Sequence, residues 1–155
     1  MRRATATTLS VTALVALPLA GCGQSDKDKY VNDYKPLNDK LLTLGDDLGK
    51  AVSGAGSESN SQLATRFTKL GTRFKTLRSD ISGLETPGDL KDESKGLTSA
   101  LGSTQKDVEA IAAAAKGSDP SAARSASMKL VADAQKVNTT QNTLAKATGA
   151  KVGKK

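Results

Sequence analysis

Two clusters of acidic side chains come nearest to a catalytic or metal-binding pattern in this 155-residue sequence. The first is Asp46-Asp47, and the second comprises Asp89, Asp92 and Glu93. A calcium site needs six or more oxygen ligands, and neither cluster has the twelve-residue loop pattern that supplies them. A glycosidase needs two carboxyl groups across a cleft, and nothing in the sequence places two there. Asp89 and Asp92 fall in the first turn of a predicted helix, where the helix dipole favours negative charge, so we expect them to act there.

Other kinds of chemistry lack the residues that they require. The chain has no histidine, which removes the commonest general base and transition-metal ligand and the Glu-x-x-His pairs of di-metal bundles. Met128 is the only methionine after Met1 that could bind a haem, and Cys22 is the only cysteine for zinc. The sequence contains no nucleophile-elbow, phosphate-loop or dinucleotide-binding motif. We therefore predict that the protein is not an enzyme and that it holds no metal or cofactor.

The lone cysteine ends a segment that looks like a leader. Arg2 and Arg3 precede an apolar run from Leu9 to Ala20, and the chain becomes polar directly after Cys22. The run is roughly a dozen residues long, too short for a spanning helix, which needs about 20. The stretch Leu19-Ala20-Gly21-Cys22 resembles the lipobox of bacterial lipoproteins. This resemblance implies a diacylglycerol on the sulfur of Cys22, fatty acids such as palmitate, and cleavage just before that residue.

The resemblance also implies where the protein works and how the chain is divided. We expect export by the general secretory route and a lipid anchor on the extracytoplasmic face of the cell membrane. The alternative is an ordinary secretory leader with a chance cysteine. The predicted division is a signal peptide over 1–21, the lipidated cysteine and a flexible tether over 22–28, a helical bundle over 29–149, and a basic disordered tail over 150–155.

Apolar residues recur in alternating steps of four and three along four segments, which is the period of a helix and not of a strand. The first two seams are Tyr30, Tyr34, Leu37, Leu41, Leu44, Leu48 and Ala51, then Leu63, Phe67, Leu70, Phe74, Leu77, Ile81 and Leu84. The last two are Leu90, Ser94, Leu97, Leu101, Thr104, Val108, Ile111 and Ala115, then Ala123, Ser127, Leu130, Ala134, Val137, Gln141 and Leu144. Four helices of roughly 25 residues joined by short turns predict an all-α, up-down-up-down four-helix bundle.

Several residues mark where these helices begin and end. Ser59 with Gln62 predicts a capping box, and Thr86 is predicted to cap the third helix ahead of Pro87. Asp119-Pro120 predicts the start of the fourth helix, and Gly149 its end. Pro36 indicates either a kink in the first helix or a helix start near Lys35.

One side of the second predicted helix is basic. Arg66, Lys69 and Arg73 share that side, and in a cell envelope they could contact anionic phospholipid headgroups or wall polymers. The alternative is a solvated face whose long side chains cover the apolar edge of the seam. The chain carries a net charge of +7, but an exported protein seldom meets nucleic acid, so we expect no nucleic-acid partner.

Four polar residues occupy predicted seam positions: Ser94, Thr104, Ser127 and Gln141. They could line a small cavity that binds a ligand, although a buried Ser or Thr more often bonds to the carbonyl one turn earlier. The whole pattern is similar to small helical lipoproteins of unknown function from actinobacterial envelopes. We expect a monomeric, non-enzymatic bundle that acts by contact with envelope proteins or anionic polymers. The alternative is a binding module for a small ligand or an anionic envelope polymer.

Overall fold

The computed structural model describes residues 25–153, and within that range the fold is an all-α bundle without a strand. Its four helices are α1 (Asp26–Gly54), α2 (Asn60–Ser82), α3 (Lys91–Lys116) and α4 (Pro120–Thr148). Two short 3₁₀ turns, Ala55–Ser57 and Gly88–Leu90, connect α1 to α2 and lead into α3. The predicted all-α class is confirmed. None of the described helices is long and apolar enough to cross a membrane.

The first helix begins earlier than predicted. Ser25 caps it, because the Ser25 hydroxyl accepts a hydrogen bond from the Asp28 amide at 3.1 Å. Residues 26–28 therefore belong to α1 and not to a tether that extends to residue 28. A start near Lys35 is also wrong, since Pro36 lies inside the helix. Pro36 and Asn32 are exposed, so water can bond the carbonyl that the proline leaves without a partner.

Most predicted helix ends are confirmed. Ser59 and Gln62 form the capping box of α2, and the Asp119 carboxylate accepts from the Ser121 and Ala122 amides at the start of α4. Gly149 ends α4 with a positive φ of 64°, a backbone conformation that glycine adopts without strain. Thr86 does not cap α3, because its hydroxyl donates to the Leu84 carbonyl and the turn Gly88–Leu90 comes first.

The four seams meet in one core, although the fourth seam is only partly correct. All predicted residues of the first and third seams are buried, and Leu63 and Leu84 at the ends of the second are partly buried. In α4 the seam residues Ala123, Ser127 and Ala134 are only half-buried. That helix instead buries three residues outside the predicted seam: Ala126, Ala145 and Thr148.

The helices do not pack equally closely. Helix α3 packs tightly against both α2 and α4, whereas α1 touches α2 less and α4 least. Two glycines explain part of the close α2–α3 contact. A Cβ at Gly71 would lie 3.1 Å from Cγ of Glu109, and one at Gly102 would lie 3.1 Å from Cζ of Arg78. The weak contact between α1 and α4 leaves a groove between them.

The chain after α4 is ordered as far as the structure describes it. The Lys151 carbonyl accepts hydrogen bonds from Asn38 at 2.9 Å and Gln141 at 3.1 Å, and the Gly153 amide donates to Asn142 at 2.8 Å. We call residues Lys151–Gly153 the C-terminal strap. The predicted disordered tail over 150–155 is therefore wrong for 150–153, because buried amide side chains bond its backbone. The lipobox and Cys22 lie outside the described residues, as do Lys154 and Lys155.

Candidate functional site

A groove of about 950 Å³ runs between α1 and α4. Its walls are mainly aliphatic: Leu41, Leu42 and Leu48 from α1, and Leu130, Val131 and Val137 from α4. Phe74 of α2 and Thr104 of α3 form its floor. The volume lies in the range typical of small-molecule sites, which are concave, mostly apolar and equipped with few polar groups.

Large apolar side chains are exposed at the rim of this groove. Val52, Val131 and Val152 are 43%, 56% and 48% exposed, and all three line it. Met128, one turn before Val131 on α4, is also exposed. Contiguous exposed apolar surface on a protein marks a place where a ligand or another surface binds. The rim is therefore better suited to contact with an apolar molecule than with water.

A polar network closes one end of the groove. The Gln141 amide donates to Asn38 Oδ1 at 2.7 Å, and the Tyr34 hydroxyl donates to the same atom at 3.3 Å. Asn38 and Gln141 also hold the carbonyl of Lys151 in the strap. Burial raises the pKa of the Tyr34 phenol above its ordinary value, so Tyr34 remains a neutral donor at physiological pH.

Thr104 differs from other helical threonines of this chain. Thr43, Thr65, Thr72 and Thr76 each donate to the carbonyl four residues earlier. The Thr104 side chain is fully buried, yet its hydroxyl has no partner among residues 25–153. A buried hydroxyl without a hydrogen bond is costly, and a polar atom that reached Thr104 through the groove would supply the missing bond.

Of the four polar seam residues, two line the groove and two do not. Thr104 and Gln141 both line the groove, as the cavity hypothesis requires. Ser127 donates to the Ala123 carbonyl at 2.8 Å, which is the local bond expected of a half-buried serine. Ser94 is buried but does not line the groove. The sequence therefore predicts part of the lining, and the aliphatic rim comes from residues beside the seams.

The predicted basic face is exposed, but much of its charge is paired. Arg66 forms an ion pair with Glu58, and Arg73 forms one with Asp47 at 2.7 Å. Arg66 and Lys69 also line a shallow hollow of about 490 Å³. Because two of its three cations face carboxylates, this surface attracts anions less than the sequence suggests. Its contact with an anionic envelope surface stays a prediction.

The acidic clusters do not converge on one site. Asp46 lies on the rim of the groove, whereas Asp47 pairs with Arg73. Asp89 pairs with Lys27 at 2.7 Å, and this hydrogen bond lowers the pKa of the Asp89 carboxyl. Asp92 lies in the first turn of α3, as predicted, together with Glu93. Asp89 does not, because it lies in the turn Gly88–Leu90 that precedes α3. Over the part of the chain that the structure describes, no three acidic, histidine or cysteine side chains form a metal-binding group.

The sequence did not predict one buried carboxyl group. Asp107 of α3 is 8% exposed, and its Oδ2 atom has no hydrogen-bond partner in the described range. Burial first, and then the nearby Asp133 carboxylate, raise the pKa of Asp107. Lys136, which lies 2.8 Å from Asp133, lowers the pKa of that second carboxyl. Asp107 precedes the seam residue Val108 and does not itself occupy a seam position, so the helical period did not predict its burial.

Searches of protein families, of curated proteins and of solved structures find no match to this chain.

Proposed function

We propose that this protein is a lipid-anchored, extracytoplasmic and non-enzymatic binding module whose α1–α4 groove takes one small, largely apolar ligand. The observation that carries this proposal is the open aliphatic groove with its exposed valine rim. A chain that exposes Val52, Val131 and Val152 in one concavity gains free energy when an apolar ligand removes them from water. The small-ligand alternative is thereby favoured over action through protein or envelope contact alone.

The size of the groove supports a small molecule over a protein partner. A stable protein interface buries about 800 Å² on each side, and such interfaces are flatter than a deep cleft between two helices. A concavity of about 950 Å³ instead matches one drug-sized or lipid-sized ligand. The Thr104 hydroxyl has no partner among the described residues, and it adds the kind of single polar contact that orients a ligand in an apolar site.

Contacts between helix ends support the up-down-up-down order that we propose for the bundle. Lys27 near the start of α1 pairs with Asp89 beyond the end of α2, and Asp47 late in α1 pairs with Arg73 in the middle of α2. Gly71 of α2 lies near Glu109 of α3, and Arg78, later in α2, lies near Gly102, earlier in α3. This order of contacts is the one that antiparallel helices make. Such an arrangement places the first and last helices side by side, where the groove lies.

The anchor and the location rest on the lipobox resemblance of Leu19-Ala20-Gly21-Cys22. A lipid on Cys22 would hold the bundle at the membrane surface, close to apolar molecules of the envelope. The basic residues Arg66, Lys69 and Arg73 form the second proposed contact, to anionic envelope polymers or lipids. Their ion pairs with Glu58 and Asp47 make this the weaker of the two proposals.

The proposal is tested with the full chain made without its lipid by Cys22→Ala and titrated with the neutral fluorescent probe N-phenyl-1-naphthylamine. We expect saturable binding at one site. Val131→Glu places a charge on the apolar rim, and we expect it to weaken binding by at least about tenfold, since a charge is poorly tolerated in an apolar site. Ala132→Glu, one residue away, exposed and outside the groove, is the matched control.

Unchanged affinity in the control variant, together with the loss in Val131→Glu, would assign the probe to the groove. Absence of saturable probe binding to the lipid-free chain that carries only Cys22→Ala would contradict the proposed function. Equal losses in both variants would also contradict it, because they would show that the groove is not the site.

A further inference from the structure

Two interior glycines of α1 have no packing partner that explains them. Gly45 and Gly49 are four residues apart, so they lie on the same face of the helix. Both are exposed and line the groove. Apart from the adjacent residues and the nearby backbone of α1 itself, no atom of the described chain lies within 4 Å of the position that a Cβ would take at either residue. An alanine would fit at both positions as the structure stands.

A glycine inside a helix is destabilising relative to alanine, because it loses more backbone freedom on folding. Gly71 and Gly102 have an internal reason for this cost, since a Cβ there would crowd Glu109 and Arg78. Gly45 and Gly49 face open space. Their lack of a side chain therefore widens the groove and lets an outside molecule approach the backbone of α1.

The Thr104 hydroxyl points to the same conclusion independently. It is fully buried on the floor of the groove and lacks a partner among the described residues. The glycines make room for a long, narrow apolar body, and the hydroxyl provides one hydrogen bond. Of the other polar lining residues, Asn138, Gln141 and Lys151 lie at the strap end. Asp46 lies on the rim, and Ser53 lies beside Val52 at the opposite end, where Leu130 and Val131 make the lining mainly aliphatic.

We propose that the ligand is a single-chain aliphatic amphiphile whose chain lies over Gly45 and Gly49 and whose head oxygen bonds the Thr104 hydroxyl. This inference rests on the proposed function and narrows its ligand class. The aliphatic walls cover the chain, and the polar strap end receives the head. Gly45 and Gly49 are then specificity-determining positions, conformationally costly for the free protein and useful only when the chain is bound.

The test uses the lipid-free full chain with cis-parinaric acid, a fluorescent fatty acid with one unbranched chain. We expect Gly45→Ala combined with Gly49→Ala to raise the melting temperature through better helix propensity. We expect the same pair to weaken cis-parinaric acid binding by roughly tenfold or more, because two methyl groups occupy the path of the chain. A purely structural role would not move stability and affinity in opposite directions.

Gly96→Ala in α3 is the matched control. It brings the same gain in helix propensity per substituted residue, and its Cβ would make an ordinary contact of 3.6 Å with Thr140 Cγ2. Gly96 does not line the groove. We expect a higher melting temperature and unchanged affinity. Thr104→Val keeps the shape of the side chain and removes the hydroxyl, and we expect it to weaken binding by about fivefold to tenfold.

Each outcome separates the inference from the proposed function. If the double glycine variant binds cis-parinaric acid as tightly as wild type, or if its melting temperature falls, the inference is overturned. Binding of N-phenyl-1-naphthylamine would then still support a groove for apolar ligands in general. If wild type binds neither probe, both the inference and the proposed function fail.

Discussion

Asp107 is a carboxyl group that the fold holds in an unfavourable place. It is buried, one of its oxygens has no partner in the described range, and the Asp133 carboxylate faces it from α4. The ammonium groups of Lys129 and Lys136 also face it and partly offset these effects. The outcome is a pKa above the usual value, so the folded protein favours the protonated form of Asp107 more than the unfolded chain does.

This shift predicts a pH-dependent effect of Asp107→Asn. Stability that depends on protonated Asp107 is fully present below its unfolded pKa of about 3.8 and is lost as the pH rises through the higher folded pKa. At pH 7, which lies above the unfolded pKa, at least part of this stability is lost, so the buried carboxyl group destabilises the folded protein. We expect Asp107→Asn to raise the melting temperature at pH 7 and to have a smaller effect near pH 4.

Thermal unfolding of both proteins between pH 4 and pH 8 measures the effect of this substitution. Asp80→Asn, at an exposed position of α2, serves as the control and should change the melting temperature little at any pH. A lower melting temperature of Asp107→Asn at pH 7 would show that the charged form is stabilised in the fold, contrary to the expectation.

The sequence predicted the inward residues of α1 and α3 because a helical period identifies which stripe avoids water. It did not predict Asp107 or the roles of Gly45 and Gly49. Burial of Asp107 depends on how closely α3 and α4 approach, and the openness above the glycines depends on how far α1 and α4 stay apart. The spacing of residues within one helix carries no information on either distance. The i, i+4 spacing of the two glycines was the one available signal.

At the level of the elements, helix caps could be predicted from neighbouring residues, whereas the C-terminal strap could not. Caps such as Ser59 and Asp119 were predicted because all their partners lie within three residues. The strap is held by Asn38 and Gln141, which are 103 residues apart in the chain and join in one network. The lysines at the end of the sequence indicate a solvated tail, yet the backbone carbonyl of Lys151 supplies the acceptor that two buried amides need.

Removal of the strap should therefore destabilise the bundle. Deletion of residues 151–155 takes away the carbonyl that Asn38 Nδ2 and Gln141 Nε2 share. We expect a loss of about 1–3 kcal/mol in the free energy of unfolding, the cost of an unsatisfied buried donor. Urea unfolding followed by circular dichroism measures it.

Lys151→Ala is the control for this deletion. The substitution keeps the backbone carbonyl and removes only an exposed ion pair, in which Nζ lies 3.4 Å from Asp39. Such pairs contribute roughly 0–1 kcal/mol, so we expect little change. A loss in Lys151→Ala as large as that of the deletion would mean that the lysine side chain, and not the strap backbone, stabilises this end.

At the scale of the whole molecule, two kinds of membrane attachment can be distinguished by their response to salt. A lipid on Cys22 would bind through apolar chains, and about 0.8 kcal/mol per buried methylene makes two chains a stable anchor. The basic residues Arg66, Lys69 and Arg73 would bind through charge, which salt screens over about 8–10 Å. The ion pairs of Arg66 with Glu58 and of Arg73 with Asp47 weaken this second attachment further.

We therefore expect Cys22→Ala to move the protein from the membrane fraction to the soluble fraction of cells that express it. The charge variant Arg66→Gln, Lys69→Gln and Arg73→Gln retains Cys22, and we expect it to stay with the membrane after a high-salt wash. Fractionation of both variants and wild type, before and after that wash, measures the contribution of each attachment. If Cys22→Ala still sediments with membranes in high salt, a lipid on Cys22 is not what holds the protein, and the location proposed from the lipobox resemblance loses its support. If the charge variant alone is released, the basic face is the attachment, and its ion pairs in the folded bundle must open at the membrane surface.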